Sequence, residues 1–296
     1  MGHKRLLFLY NSKAGKGTVC NHLSDMIDIF IQNEYKIMIH STQFQGDAIS
    51  VVQNLETGKY DLVICCGGDG TLDEVVTGMM IRDEKLPIGY IPAGSTNDFA
   101  HSLEISNDMC IAADCIMKGE HITCDVGSFN DDIFVYVAAF GMFTEVAYET
   151  TQDRKNVLGH MAYVLEGIKS LSSLSSYYVK IITDEMEIQE EIIFAMVSNS
   201  RYVGGIKNIT GDNVKLDDGE FEVMFIKRPD SIKDLKAIIS SLISRNMNSE
   251  LVHCLKASHI KFVSEDPIKW TLDGEFGGWH DKVEIVNLEK AIVLVR

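Results

Sequence analysis

The chain has 296 residues, with 27 Lys and Arg against 43 Asp and Glu, a formal net charge of −16 and 46% hydrophobic residues. So acidic a balance works against binding a nucleic-acid phosphate backbone and against tight attraction to an anionic membrane. The length exceeds a typical single domain, and four prolines with no low-complexity tract predict two ordered domains.

Met1 to Leu6 passes directly into a short apolar strand, without the core of a signal peptide. No apolar run approaches the roughly 18 residues of a membrane span, so a soluble protein is expected. The first strand is Leu6 to Tyr10. Asn11-Ser12-Lys13-Ala14-Gly15-Lys16-Gly17-Thr18 follows as a flexible turn leading into a helix over Thr18 to Gln32. Lysines in such a turn are ordinarily solvated; they meet phosphate charge if neighbouring strand ends point the same way, as in an open parallel sheet. A strand over Tyr35 to His40 and a helix over Asp47 to Glu56 come next.

Leu62 to Cys66 is an apolar run of buried-strand length, and Gly67-Gly68-Asp69-Gly70-Thr71 joins it to a helix over Leu72 to Met80. Glycines let a phosphate approach the backbone, and the free N–H groups at a helix start favour an anion. A plain strand-to-helix turn is the bland alternative. The full order of strand, glycine turn, carboxylate and hydroxyl favours a nucleotide site, with a cation beside Asp69. The Walker pattern fails because Gly17 follows Lys16 and Tyr10 stands at its first glycine. The Rossmann pattern fails because Cys20 and Asp73 stand at its last.

Ile88 to Pro92 is a short strand, and Ala93-Gly94-Ser95-Thr96-Asn97-Asp98-Phe99-Ala100-His101 brings hydroxyls, an amide and a carboxylate before a further helix. Capping alone needs only one of these groups. A helix over Asp108 to Lys118 closes an α/β region at residues 1–125. Residues 126–296 are dominated by strands: Phe134 to Ala139, Tyr177 to Thr183, Met186 to Ser198, Glu220 to Lys227, His259 to Ser264, Lys269 to Leu272, Val283 to Val286 and Ala291 to Val295. Helices are expected near Gly159 to Leu171 and over Ser231 to Ser244. The predicted architecture is an α/β domain with an open parallel sheet, followed by a mainly antiparallel β-sandwich whose last strand can return to the first domain. Met161 to Leu171 has helical apolar spacing, fitting a core face better than a bilayer contact. Arg154-Lys155 and Lys227-Arg228 read as solvated surface.

Seven cysteines without a Cys-x-x-Cys pair read as reduced, mostly core residues, and nine histidines show no ligand spacing. No Gly-x-Ser-x-Gly elbow marks a hydrolase. Asp217-Asp218-Gly219-Glu220 and Asp273-Gly274 each read first as hairpin turns.

Taken together, Asn11 to Gly15, Gly67 to Thr71, the Pro92 to Ala100 loop, Asp125-Val126-Gly127, Asn199 to Gly205, Asp217 to Val223 and Leu272-Asp273-Gly274-Glu275 resemble the soluble bacterial diacylglycerol kinase and lipid kinase family, relatives of the sphingosine kinases. The resemblance covers nearly the whole chain. It implies an ATP-dependent transfer of phosphate to a lipid hydroxyl, most plainly that of diacylglycerol, giving phosphatidic acid. It implies that Asn11, Ser12, Lys13, Ala14, Gly15, Thr42, Gly67, Gly68, Asp69, Gly70, Thr71, Leu72, Asp73 and Ser95 line the ATP site. Asp69 and Asp98 then serve magnesium and the phosphates, Glu275 acts as base, and Lys215, Asp218 and Glu220 hold a second, structural magnesium linked through water towards Asp125. A cytoplasmic enzyme meeting its lipid transiently at the membrane surface follows, with no nucleic-acid partner and a homodimer as one assembly allowed. Ser12 stands for the family's usual proline, Asp73 for its asparagine and Ser95 for the more common threonine. Asp73 adds negative charge near phosphates, which increases dependence on a bound cation. The alternatives are a sphingoid-base or other lipid kinase, an NAD kinase-like enzyme, and a nucleotide- or lipid-binding protein without turnover.

Overall fold

The computed structural model describes residues 4–144, 171, 174–204, 206–207, 213–244 and 249–296. The helix predicted from Gly159, with its apolar face, and the Arg154-Lys155 pair lie outside the described residues, save for Leu171. The chain divides into two compact units, Met1–Asp125 with Lys290–Arg296, and Val126–Glu289.

The first unit runs β1 (Arg5–Tyr10), α1 (Val19–Gln32), β2 (Lys36–Ser41), α2 (Asp47–Gln53), β3 (Leu62–Gly67), α3 (Asp69–Ile81), β4 (Ile88–Pro92), α4 (Asp98–Ser102), α5 (Met109–Lys118) and the start of β5 (His121–Phe129). β1 pairs in parallel with β2 and β3, and β3 with β4. β3 is buried at all six positions, as a strand covered on both faces must be, which is why its sequence is an unbroken apolar run. β2, at the edge, leaves Met38 and Ile39 exposed. Phe8, Ile64 and Ile91 from the sheet pack with Val19, Met26 and Phe30 of α1 and with Ala112 and Ile116 of α5. Asp108 caps α5 by accepting from the N–H groups of Cys110 and Ile111, and Gly119 ends it in the left-handed conformation. Parallel pairing has one consequence for function: the loops after β1, β3 and β4 leave the sheet at the same, carboxyl-terminal edge.

The second unit continues with β6 (Asp132–Phe134), β7 (Val137–Gly141), β8 (Tyr177–Thr183), β9 (Glu187–Ser198), β10 (Tyr202–Val203), β11 (Ile206–Lys207), β12 (Phe221–Lys227), α6 (Ile232–Ser244), β13 (Val252–Ala257), β14 (His259–Leu272) and most of β15 (Glu275–Val295). Its pairings are antiparallel. β9 and β14 change partners along their length: Glu187–Ile192 of β9 faces β8 and Phe194–Ser198 faces β7 and β12, while Ile260–Ser264 of β14 faces β8 and Trp270–Leu272 faces β7. Long strands that switch partners carry the sheet round its core. The end of β15 runs in parallel beside β4, Leu294 opposite Ile88.

Several predicted boundaries shift. The segments His259–Ser264 and Lys269–Leu272 form one strand, because the Pro-containing stretch between them is absorbed as an irregularity in the pairing with β15. Val283–Val286 and Ala291–Val295 likewise merge into β15. The strand predicted over Phe134 to Ala139 breaks at Val135 and Tyr136, whose N–H groups donate to the Asp273 carboxylate and not to a ladder.

Trp270 is 1% exposed, with ring centroids of Phe140 at 4.6 Å, Phe129 at 5.1 Å and Phe262 at 5.2 Å. Trp270→Ala should therefore destabilise the chain by about 3–5 kcal/mol, read as a lowered urea midpoint with an unchanged slope. A loss under about 1 kcal/mol would place the core elsewhere.

Candidate functional site

The site is assembled by backbone contact between loops. A Cβ built on Gly94 would lie 2.5 Å from the Gly68 Cα, and one on Gly68 would lie 3.2 Å from the Gly94 Cα. The loops after β3 and β4 thus touch where neither carries a side chain. Gly15, at φ +55°, brings the loop after β1 to the same place, since a Cβ there would collide with the Ala93 carbonyl. The Asn11 N–H donates to the Cys66 carbonyl at 2.9 Å, and Asn11 Nδ2 to Thr71 Oγ1 at 3.3 Å. Ala93 N–H donates to the Gly67 carbonyl at 2.7 Å. Asn11 Oδ1 accepts from the Lys13 N–H at 2.9 Å, turning the chain so that Ala14 enters the core while Lys13, Gly15 and Lys16 stay exposed.

Asp69 is the first residue of α3, three positions earlier than the predicted helix start, with Gly68 as its extended N-cap. The helix begins there because Thr71 and Leu72 N–H groups both turn back to the Gly68 carbonyl. Asp69 Oδ2 accepts from the Asp98 N–H at 3.1 Å, and Oδ1 from the Tyr90 hydroxyl at 3.4 Å. The residue is partly buried. Burial first, and then the neighbouring Asp98 carboxylate, push the Asp69 carboxyl up to about 6 against the pull of those hydrogen bonds. The same surroundings push the Tyr90 hydroxyl well up, mainly through burial. Asp98 is 2% exposed at the start of α4, after Asn97 in the left-handed conformation at φ +54°. Asn97 Nδ2 donates to the Gly94 carbonyl at 3.1 Å, and its Oδ1 is buried without a partner among the described residues.

Of the predicted nucleotide residues, Asn11 to Gly15, Gly67, Gly68, Asp69, Gly70, Thr71 and Leu72 thus gather with Asp98 at one sheet edge. Thr42 follows β2 and is tied to the Tyr10 carbonyl through its N–H at 2.9 Å. Asp73 is partly buried on α3, and Ser95 is exposed in the loop after β4. Tyr90 and Asn97 join the site without having been singled out. Nothing local marks Tyr90, which sits in a buried strand, and Asn97 reads as one of several capping candidates.

Glu275, Lys215, Asp218 and Glu220 belong to the second unit. Glu275 opens β15 and is exposed, with no hydrogen bond to its carboxylate among the described residues. It follows a two-residue turn in which Asp273 and Gly274 both have positive φ, 49° and 87°, the conformation that Asp-Gly favours in a hairpin. Asp273 itself is buried and accepts from the N–H groups of Val135 at 2.5 Å, Tyr136 at 2.9 Å and Val137 at 2.8 Å. Asp218 Oδ1 accepts from the Glu220 N–H at 3.3 Å and Oδ2 from Lys256 Nζ at 2.8 Å. The same ammonium lies 3.3 Å from Glu222, which burial pushes up to about 7 and whose oxygens are without an aligned hydrogen bond.

A model of the diacylglycerol kinase catalytic domain matches residues 5–129, and one of the YegS C-terminal NAD kinase beta sandwich-like domain matches residues 137–287. The chain is 33% identical to a diacylglycerol kinase of Bacillus subtilis over 293 residues, covering 99% of this chain and 96% of the relative. A diacylglycerol kinase of Staphylococcus saprophyticus is 30% identical over 277 residues, covering 93% and 90%. The crystal structure of a diacylglycerol kinase from Bacillus anthracis matches with a TM-score of 0.77 over 100% of this chain and 97% of that one. Its identity is 24%, so it speaks for the fold alone.

The electrostatics of Asp69 are directly measurable. Its folded value of about 6 lies above the ordinary 3.8, so the folded protein binds this proton more tightly than the unfolded chain does. The associated stability is present below the ordinary value and is lost as pH rises through about 6. Asp69→Asn should remove that loss and make the ligand-free protein more stable than wild type near neutral pH, by on the order of 1–3 kcal/mol, with the difference vanishing in mild acid. Urea melts across pH give the answer, and parallel profiles for the two proteins would refute the proton linkage.

Proposed function

The chain belongs to the diacylglycerol kinase family and is an ATP-dependent lipid kinase, and we propose that its acceptor is the free hydroxyl of diacylglycerol, giving phosphatidic acid. The observation that carries this reading is the closure of three strand-end loops on one another around Asp69, through Gly15, Gly68 and Gly94. Bare backbone, helix-start N–H groups and the exposed Lys13 and Lys16 offer phosphate the two things its transfer requires, positioning and charge neutralisation.

Asp69 and Asp98 suit a magnesium ion. Burial and mutual repulsion raise the Asp69 carboxyl, and a divalent cation would relieve both. Bound there, magnesium would offset the charge of the β- and γ-phosphates. Asp73, in place of the usual asparagine, adds to the charge the cation must balance. Asn11 to Gly15, Thr42, Gly67 to Asp73 and Ser95 then line the ATP site. Glu275 takes the proton of the lipid hydroxyl as its oxygen bonds the γ-phosphorus and the bond to the β-phosphate oxygen breaks, releasing ADP. Its exposure on a turn held by Asp273 supports that role. Phe276 and Trp279, 60% and 62% exposed just after it, support contact of this hairpin with a membrane surface. No helix among the described residues is long and apolar enough to cross a membrane. Residues 1–125 then serve as the nucleotide-binding catalytic domain and residues 126–296 as the lipid-substrate domain.

Glu275→Gln should leave ATP affinity near wild type and lower kcat by about 10²–10⁴-fold, without recovery at high pH. Calorimetric ATP binding beside single-turnover phosphate transfer separates the two effects, and a kcat within about threefold of wild type would return Glu275 to the turn. Transfer assayed across diacylglycerol, sphingoid bases, ceramide, undecaprenol and NAD identifies the acceptor; preference for any but the first overturns the assignment.

Lys215, Asp218 and Glu220 are proposed to hold the second magnesium, through the Asp218 carboxylate and two backbone oxygens. Lys256 already supplies a positive charge to Asp218 Oδ2, so the ion must displace that ammonium, for which Glu222 offers an alternative partner. Magnesium should raise the melting temperature of wild type, and Asp218→Ala should abolish the rise attributable to this site. If the variant keeps the full magnesium response, Lys256 is the permanent occupant.

A further inference from the structure

Outside the phosphate loops, three side chains of different chemistry converge on the face where α1 meets α5. His22 and Asp25 stand one turn apart on α1, and Cys110 stands in the first turn of α5. One ligand atom from each, an imidazole nitrogen, a carboxylate oxygen and the sulfur, lies within 4.8 Å of the other two. Neither helix is free to drift. Met26 and Phe30 of α1 share a core with Met109, Ala112, Ala113 and Ile116 of α5, and Cys110 packs against that core while its neighbours His22 and Asp25 are exposed. The backbone of Cys110 is fixed besides by its N–H bond to Asp108 Oδ1 at 2.9 Å. Among the described residues the exposed pair has one competing hydrogen bond, a long one: the Ser24 hydroxyl reaches Asp25 Oδ1 at 3.5 Å, and the His22 ring has none.

We propose that His22, Asp25 and Cys110 form a binding site for a borderline-soft divalent cation, with zinc as the ion whose preferences they meet. Zinc takes nitrogen, sulfur and oxygen ligands in tetrahedral geometry, and three protein ligands with one water complete its shell. Magnesium, which demands six oxygens, does not suit the trio. Binding links α5 to the helix that directly follows the Asn11–Thr18 loop, so the ion acts as a clasp on the first unit. The site is invisible to spacing rules because its ligands come from helices far apart in sequence, and neither helix carries a motif.

Cobalt reports directly on such a site. Titrating Co²⁺ into the full, reduced, chelator-treated chain should give a saturable thiolate-to-cobalt charge-transfer band and tetrahedral visible bands at one equivalent, displaced by Zn²⁺ and untouched by Mg²⁺. Cys110→Ser should lose the charge-transfer band. His22→Ala, an exposed change that leaves the core intact, should weaken zinc binding by more than the roughly 10–100-fold cost of losing an outer-shell partner. Zinc should raise the melting temperature of wild type and not of Cys110→Ser. Absence of a cobalt band in wild type overturns the proposal. So does its persistence in Cys110→Ser, which would assign the metal to another thiol such as the exposed Cys20. Unaltered zinc affinity in His22→Ala does the same even if Cys110→Ser fails to fold.

Discussion

The contact between Gly68 and Gly94 is the constraint on which the rest of the site depends. Two loops from neighbouring parallel strands meet backbone to backbone, so close that a Cβ on Gly94 would stand 2.5 Å from the Gly68 Cα. Any side chain there would push the loops apart. The Asp98 N–H would then leave the Asp69 carboxylate. Gly15 extends the same arrangement to the first loop, whose left-handed turn lies against Ala93. Bare backbone at a helix start results, and it is the parallel sheet that aims all three loops at one edge.

Two buried or partly buried aspartates show how differently one residue type is used. Asp273 receives three backbone N–H groups, and in doing so it ends one strand and shapes the hairpin that carries Glu275. That carboxylate is satisfied within the fold, as buried charge generally must be. Asp69 is under-compensated by comparison: the backbone N–H groups of Asp98 and Phe99 and the long Tyr90 hydroxyl contact are outweighed by burial and by the Asp98 carboxylate. A structural role would not require this tension, whereas a site that takes up cations and phosphate does, since the ligand supplies the missing compensation.

Lys256 shows the same economy in the second unit. Its ammonium lies among Asp218, Glu220 and Glu222, carried by the cross-strand register that sets Lys256 opposite Glu222. One flexible cation serves three carboxylates, and burial keeps Glu222 raised against its pull, without an aligned hydrogen bond. This arrangement is soft, and a metal ion at Asp218 would redistribute it without moving the strands.

Much of the architecture was legible in local pattern. The unbroken apolar run of β3, the glycine turn after it, the Asp-Gly hairpin and the change from alternating helices and strands to strands alone can each be read from neighbours in sequence, because burial on two faces, positive φ and crossover connections each restrict residue type locally. The break at Val135 and Tyr136 and the fusion of two predicted segments into β15 could not be read in that way. Each depends on a partner far along the chain: Asp273 for the strand break, β14 and β4 for β15. By itself the sequence determined which strand ends are followed by glycine turns carrying short polar and charged side chains. Only the tertiary structure decided which of them meet, and what protonation Asp69 favours, because proximity and desolvation belong to the packed chain and not to any segment of it.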